Sequence, residues 1–225
     1  KKYQVILKLG IKTDTADSEG KIIEEQVVEK NVMTESKIKE ILDSFIGKQK
    51  QKPPMYSAIK INGKKLYEYA RKGQQIEVPS RNIEIYNMEL VNINQKEKTI
   101  EFIVKCSKGT YIRSLCEDIA TKLDTIGYMK ALKRLEVGDF KIENSITIEE
   151  LENKIKLKEK YLMSIEEFFN NKKQIDLEQK ELSKLLNGVK LKDENIDDTY
   201  RIYSNNKFIG IGKIEKGCLK RDIII

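Results

Sequence analysis

Between residues 100 and 123 the chain changes its apolar period once, and that change limits what it can fold into. Ile100, Phe102, Val104 and Cys106 share one face at period two, as in a half-buried strand. Ile112, Leu115, Cys116, Ile119, Ala120 and Leu123 then recur at i, i+3, i+4, i+7, i+8 and i+11, the stripe of a core-facing helix. Only Ser107-Lys108-Gly109-Thr110 and Tyr111 separate the two patterns, so a strand hands over to a helix across one flexible turn.

The rest of the chain alternates in the same way. Tyr3, Val5, Leu7, Leu9 and Ile11 predict an opening strand. Ile38, Ile41, Leu42, Phe45 and Ile46 predict an amphipathic helix over 36–46, with Ser36 as N-cap and Gly47 as the stop. Lys52-Pro53-Pro54-Met55-Tyr56-Ser57 breaks regular structure, because proline removes donors and restricts the residue before it. Residues 60–81 read as a protruding basic and aromatic arm, with a short helical stretch bracketed by Gly63 and Gly73. Strands follow around Ile83 to Ile93 and Met129 to Val137, and capping boxes stand at Thr147-x-x-Glu150 and Ser164-x-x-Glu167. A last helix ends near Asn187-Gly188, and strands with turns at Asn205-Asn206 and Lys216-Gly217 fill 200–225. The fold class is α+β, with a main domain over 1–170 and a small β-rich one over 171–225.

Lys and Arg outnumber Asp and Glu by 43 to 36, a net charge of +7 that suits a polyanion partner and equally suits lysine-rich solvated faces. The chain has no histidine, which removes histidine bases and the usual Cys/His zinc sites; catalysis must use carboxylates, Tyr, Lys or Arg. Three cysteines without paired spacing point to a reducing compartment. No apolar run reaches membrane-spanning length, and the first residues read as strand, so a soluble cytoplasmic protein whose chain begins inside a domain is expected.

Cys106-Ser107-Lys108-Gly109-Thr110-Tyr111-Ile112-Arg113 places helix-start amides, a Tyr and an Arg together, as an anion site would. A surface Arg at a helix start, with Tyr covering a core edge, fits the same residues. The arm, with Lys60, Lys64, Lys65, Tyr67, Tyr69, Arg71, Lys72 and Arg81, suits phosphate contact with base stacking, or a solvated helix packing its tyrosines on the core. Tyr3 and Leu132 taken alone read as core.

Several runs in one order narrow these choices. They are Tyr3 with Gly10-x-x-Thr13-Asp14-Thr15-x-Asp17, Pro54-Met55-Tyr56-Ser57-Ala58, Gly63 to Arg71, Cys106 to Arg113, and Leu132-x-Arg134-Leu135. Together they resemble the tRNA pseudouridine synthase B family over about residues 1–140, and more loosely beyond. The resemblance implies a largely antiparallel sheet flanked by helices and a C-terminal domain related to the PUA domain. It implies a monomer that isomerises uridine 55 in the tRNA T-arm, without metal, cofactor or membrane. It gives Tyr3 the part of stacking on a flipped uracil, Tyr111 and Leu132 that of closing the pocket, and Arg113 that of pairing with the nucleophilic Asp. Lys64, Lys65, Arg71, Lys72, Arg81 and Lys108 would grip RNA. The family's Gly-Thr-Leu-Asp-Pro motif, which carries that Asp, and the His before it are absent from these residues. The chain matches the family from just after that motif, so it is expected to bind tRNA without turnover; a non-catalytic RNA-binding module and a basic structural protein are the alternatives.

Overall fold

The opening alternation becomes β1 (Lys2–Leu9), which buries Tyr3, Val5, Leu7 and Leu9 and leaves the residues between them half exposed. The expected strand is cut at Gly10 (φ +82°), where a Cβ would lie 2.7 Å from Val28 Cγ2 and 2.8 Å from the Gln26 carbonyl. Ile11 instead heads β2 (Ile11–Thr13), paired antiparallel with β3 (Ile22–Glu25). The computed structural model describes residues 1–74 and 76–225, residue 75 of the arm lying outside the described set, and divides the chain into Lys1–Ser145 and Ile146–Ile225.

In the first unit, α1 (Glu35–Asp43) is capped two residues earlier than expected, because Thr34 rather than Ser36 holds the extended N-cap backbone. It ends at Asp43, and Gly47 (φ +114°) opens β4 (Gly47–Gln51) instead of stopping the helix. In the arm, β5 (Lys60–Ile61) and β6 (Lys64–Lys65) form a hairpin, and α2 (Leu66–Ala70) supplies only one helical turn or so. Then come β7 (Arg81–Asn94), β8 (Thr99–Cys106), α3 (Ile112–Lys122), β9 (Gly127–Val137) and β10 (Phe140–Lys141). The long strands build an antiparallel sheet in the order β10-β9-β1-β8-β7-β4. One face of it buries Ile100, Phe102, Val104 and Cys106 with Ile38, Ile41 and Leu42 of α1 and Leu115, Ile119 and Ala120 of α3. Each large side chain buried there contributes about 1.5–3 kcal/mol, so this face holds α3 and the turn before it in place.

The second unit begins with α4 (Ile148–Lys156) and α5 (Ile165–Phe168), both started by the expected capping boxes. In the second box Lys160, and then the Ser164 backbone, hold the Glu167 carboxyl down at about 2. Next come β11 (Gln174–Asp176), α6 (Gln179–Leu186), β12 (Leu191–Lys192), β13 (Thr199–Ser204), β14 (Lys207–Glu215) and β15 (Cys218–Ile224). The sheet order is β11-β13-β14-β15-β12, around a core of Leu177, Leu182, Leu185, Tyr200, Ile202, Ile214 and Leu219. Both hairpin turns have two successive positive φ values, at Asn205 and Asn206 and at Lys216 and Gly217, the backbone that matches strand twist. The expected boundary near residue 170 falls inside this unit. Its reason is that α5 and β11 join the sheet that follows them: Tyr203 donates its hydroxyl to Glu166, Arg201 Nε donates to the Lys172 carbonyl, and β11 pairs in parallel with β13.

Among the described residues no helix is long and apolar enough to cross a membrane.

Candidate functional site

The turn between β8 and α3 is positioned from a distance. Gln51, at the buried end of β4, accepts from the Tyr111 amide (2.8 Å) and donates its own amide to the Tyr111 carbonyl (3.0 Å). Ser114 adds a bond from its hydroxyl to the Lys52 carbonyl. Tyr111 is the N-cap of α3 and makes no side-chain cap bond; Gln51 takes its backbone amide from outside, the bond that the N3 Glu or Gln of a capping box makes elsewhere. Of the helix-start amides expected to face an anion, that of Tyr111 is therefore already used.

Arg113 lies two residues on, with its side chain 22% exposed. Its Nη1 donates to the Thr15 carbonyl and to Asp17 Oδ2, each at 3.0 Å, and its Nη2 donates to the Tyr56 carbonyl at 2.7 Å. A guanidinium has five donors in a fixed plane. The bonds to Thr15, Asp17 and Tyr56 leave the Nε hydrogen and one Nη2 hydrogen without a partner among the described residues, two donors that a further carboxylate could use.

The 13–21 loop is built to present Asp17. Thr15 Oγ1 and the Glu19 amide both donate to Asp17 Oδ1, at 2.6 and 3.2 Å, which turns Oδ2 toward Arg113. Thr13 Oγ1 donates to the Asp17 carbonyl, and Ala16 takes a positive φ of 60° between them. A Cβ on Gly20 would stand 2.3 Å from Thr15 Oγ1, so the loop closes only over glycine. The same loop bonds to β9, through the Met129 amide to the Ala16 carbonyl.

Strand β9 brings in Leu132 and Arg134. Opposite β1, Leu132 pairs with Val5 and Arg134 with Tyr3, so all four stand on the face that packs α3. Tyr3 is 6% exposed, with the Arg134 guanidinium 5.6 Å from its ring centre, whereas Leu132 is 44% exposed on the strand's outer stretch. The structure thus places Tyr3 and Leu132 on neighbouring strands and ties Arg113 to the 13–21 loop that adjoins both, whereas Tyr111 is held from β4 at the far edge of the sheet.

Of the expected RNA-gripping residues, four gather on the arm and two lie apart from them. Lys64, Arg71 and Lys72 line a groove of about 280 Å³ on the arm with Glu68, Tyr69 and Gln74. Lys65 and Arg71 flank the Tyr67 ring at 5.4 and 5.3 Å. Lys108 lies instead on the β8–α3 turn, and Arg81 opens β7 opposite Gln51.

Burial raises the Glu117 carboxyl above its ordinary range, one helical turn after Arg113, with Lys12 and Arg113 opposing the shift. Burial also pushes the Cys106 and Cys116 thiols upward, so both stay protonated and inert. Ser57 Oγ, next to Tyr56, is buried with no partner among the described residues. Among the described residues no three Cys, Asp or Glu side chains gather as a metal ion would require.

Sequence reasoning placed Arg113 beside a carboxylate and missed which one this chain itself supplies. Asp17 stood inside the quoted Thr13-Asp14-Thr15-x-Asp17 run, a signal left without a role. Gln51 gave no signal, since a polar residue ending a strand looks like any other.

The comparisons with known proteins agree along the whole chain. Residues 1–112 match the family profile described as TruB family pseudouridylate synthase (N terminal domain), 113–189 that of the tRNA pseudouridylate synthase B C-terminal domain, and 174–220 that of pseudouridine synthase II TruB, C-terminal. The tRNA pseudouridine synthase B of Clostridium tetani is 42% identical over 222 residues, covering 96% of this chain and 75% of that one. Those of Clostridium kluyveri and Aquifex aeolicus are 44% and 38% identical, covering 93% and 97% of this chain and 73% and 76% of theirs. Among solved structures, a Cbf5-Nop10-Gar1 complex matches with a TM-score of 0.65 at 19% identity, over 100% of this chain and 66% of that one. An H/ACA RNP bound to a substrate RNA containing 2'-deoxyuridine matches at 0.64 and 16%, over 100% and 65%. At such identities the two structures share the fold. The chain spans about three quarters of the length of these curated relatives.

Proposed function

This chain belongs to the TruB family of pseudouridylate synthases, and on that premise we propose that it serves the conversion of uridine 55 in the tRNA T-arm to pseudouridine. The reaction breaks the N1–C1′ glycosidic bond, turns the base and rejoins it through C5. The base must first leave its stack, at a cost of a few kcal/mol. Tyr3 then stacks on it, and Tyr111 and Leu132 close the pocket. Arg113 grips the nucleophilic carboxylate, keeping it ionised and aimed at the sugar. Lys64, Lys65, Arg71, Lys72, Arg81 and Lys108 hold the RNA, and the protein works as a cytoplasmic monomer with a PUA-like RNA-binding second unit.

The observation that carries this reading is the state of Arg113. Thr15, Asp17 and Tyr56 fix its plane, while Nε and Nη2 each keep one donor for a further carboxylate. These 225 residues contain no Gly-Thr-Leu-Asp-Pro run, so the chain alone is expected to bind tRNA without turnover. Joining it to the family's segment that bears that motif should yield tritium release from tRNA labelled at uridine C5. Arg113→Lys in the joined protein should bind tRNA nearly normally and lose kcat, because an ammonium keeps the charge and loses the fork. Unchanged kcat with a raised KM would make Arg113 a phosphate contact. No release from the joined protein, with tRNA binding intact, would favour a non-catalytic RNA-binding module.

A further inference from the structure

A groove of about 510 Å³ lies at the β4 edge of the first sheet, apart from the arm. Lys48 and Lys50 of β4 line it, with Asn82 and Glu84 of β7 and Ser107 and Lys108 of the turn before α3. Because strand side chains alternate, Lys48 and Lys50 point to the same side, about 6.8 Å apart along the strand. That spacing is on the order of successive phosphates in a nucleic-acid strand. Lys108 joins them from the turn, and all three lysines are exposed. Among the described residues none of the three has a carboxylate within ion-pair distance, although Glu84 stands opposite Lys48 in register. Three cations without an ion-pair partner around one concavity attract an anion more strongly than the same charges spread over a convex face.

The groove also leads to the site. β4 runs from Lys48 and Lys50 directly into Gln51, whose amide holds the Tyr111 backbone, and Lys108 stands three residues before Tyr111. We propose that this groove binds the sugar–phosphate backbone beside the nucleotide whose base enters at Tyr111. It is a second RNA contact, separate from the arm, and it rests on the tRNA reading above. The phosphate-like spacing of Lys48 and Lys50 along β4 and the continuity of the groove with Tyr111 favour a nucleic-acid strand over an acidic peptide.

The test uses the 225-residue chain and a T-arm stem-loop RNA, with affinity followed by fluorescence anisotropy across a salt series. The triple variant Lys48→Ala, Lys50→Ala, Lys108→Ala is compared with a control, Lys39→Ala, Lys96→Ala, Lys141→Ala, that removes equal charge from exposed positions of the first unit outside the groove, the arm and the Arg113 site. Each lost phosphate contact should remove roughly 0.7 to 0.9 from the slope of log K against log salt. The groove variant should therefore lose about two from the slope, and the control less than one. Methylphosphonates placed singly along the RNA should weaken binding by the wild-type chain at one or two phosphates next to the target uridine, and should cost the groove variant nothing further there. Equal slopes in the two variants, with wild-type binding intact, overturn the groove alone. Displacement of the RNA from the groove by polyglutamate at matched charge concentration marks an unspecific anion groove and also overturns it. A wild-type chain that does not bind the RNA overturns the tRNA reading and the groove together.

Discussion

The Arg113 site and the arm are both cationic, yet they are held in opposite ways. Each side-chain hydrogen bond that fixes Arg113 or the Tyr111 backbone joins residues 57 to 98 positions apart. In the arm the contacts are local: Lys65 to the Tyr67 hydroxyl, Tyr69 to the Ile61 carbonyl, and Lys65 and Arg71 around the Tyr67 ring. A group held by distant partners keeps one geometry, which an aligned carboxylate needs. A group held by its neighbours supplies charge and stacking area that adapts to an RNA surface, which phosphate contact tolerates. Polar precision is therefore spent where chemistry would occur, and loose charge where substrate would be gripped.

The contrast breaks first at Arg113. Arg113→Met leaves Asp17 Oδ2 and two carbonyls without a charged donor in a mostly buried place, so it should cost about 3 kcal/mol of unfolding free energy. Urea denaturation measures this; a cost below about 1 kcal/mol would rank the Asp17 pair with ordinary surface ion pairs. Gln51→Ala comes next, because it orphans the Tyr111 amide and one carbonyl lone pair; about 2 kcal/mol is expected. If the backbone of Tyr111 is instead satisfied by water, hydrogen exchange at that amide will be as fast in the wild-type chain as in the variant.

In the arm, Lys64→Ala, Lys65→Ala and Arg71→Ala together should cost no more than about 1 kcal/mol, the scale of exposed cation–π contacts. They should still lower the salt slope of tRNA binding by about two. An unchanged slope would assign the arm to a solvated face. The smallest effect is at Glu117. Its folded carboxyl sits above its ordinary range because burial disfavours the charge, so the ionised form costs stability at neutral pH. That cost disappears once the pH falls below the carboxylate range, about pH 4, where the group is protonated in both states. Glu117→Gln should raise Tm at pH 7 and lose the gain on acidification; a gain that persists at low pH would point to packing instead.

The amino-acid sequence by itself determined the elements and much of their order. Period two gave β1 and β8, the i, i+3, i+4 stripe gave α3, and side chains three residues apart gave both capping boxes. These signals are local, because a strand or helix shows its buried face within a few residues. The resemblance motifs marked Tyr3, Tyr111, Arg113 and Leu132 as residues to examine. Only the tertiary structure decided that Asp17 and Thr15 hold Arg113, that Gln51 holds the Tyr111 backbone from another strand, and that Lys48 and Lys50 share a groove with Lys108. Sheet order made those juxtapositions: β4 lies beside β7 at one edge, while β1 lies between β8 and β9. The 13–21 loop following β1 could then reach Arg113 on α3, and β4 could reach the turn that precedes it. A hydrogen bond between residues 60 or 98 apart leaves no periodic trace in the chain, because its partners meet only when the apolar faces have closed the sheet around them.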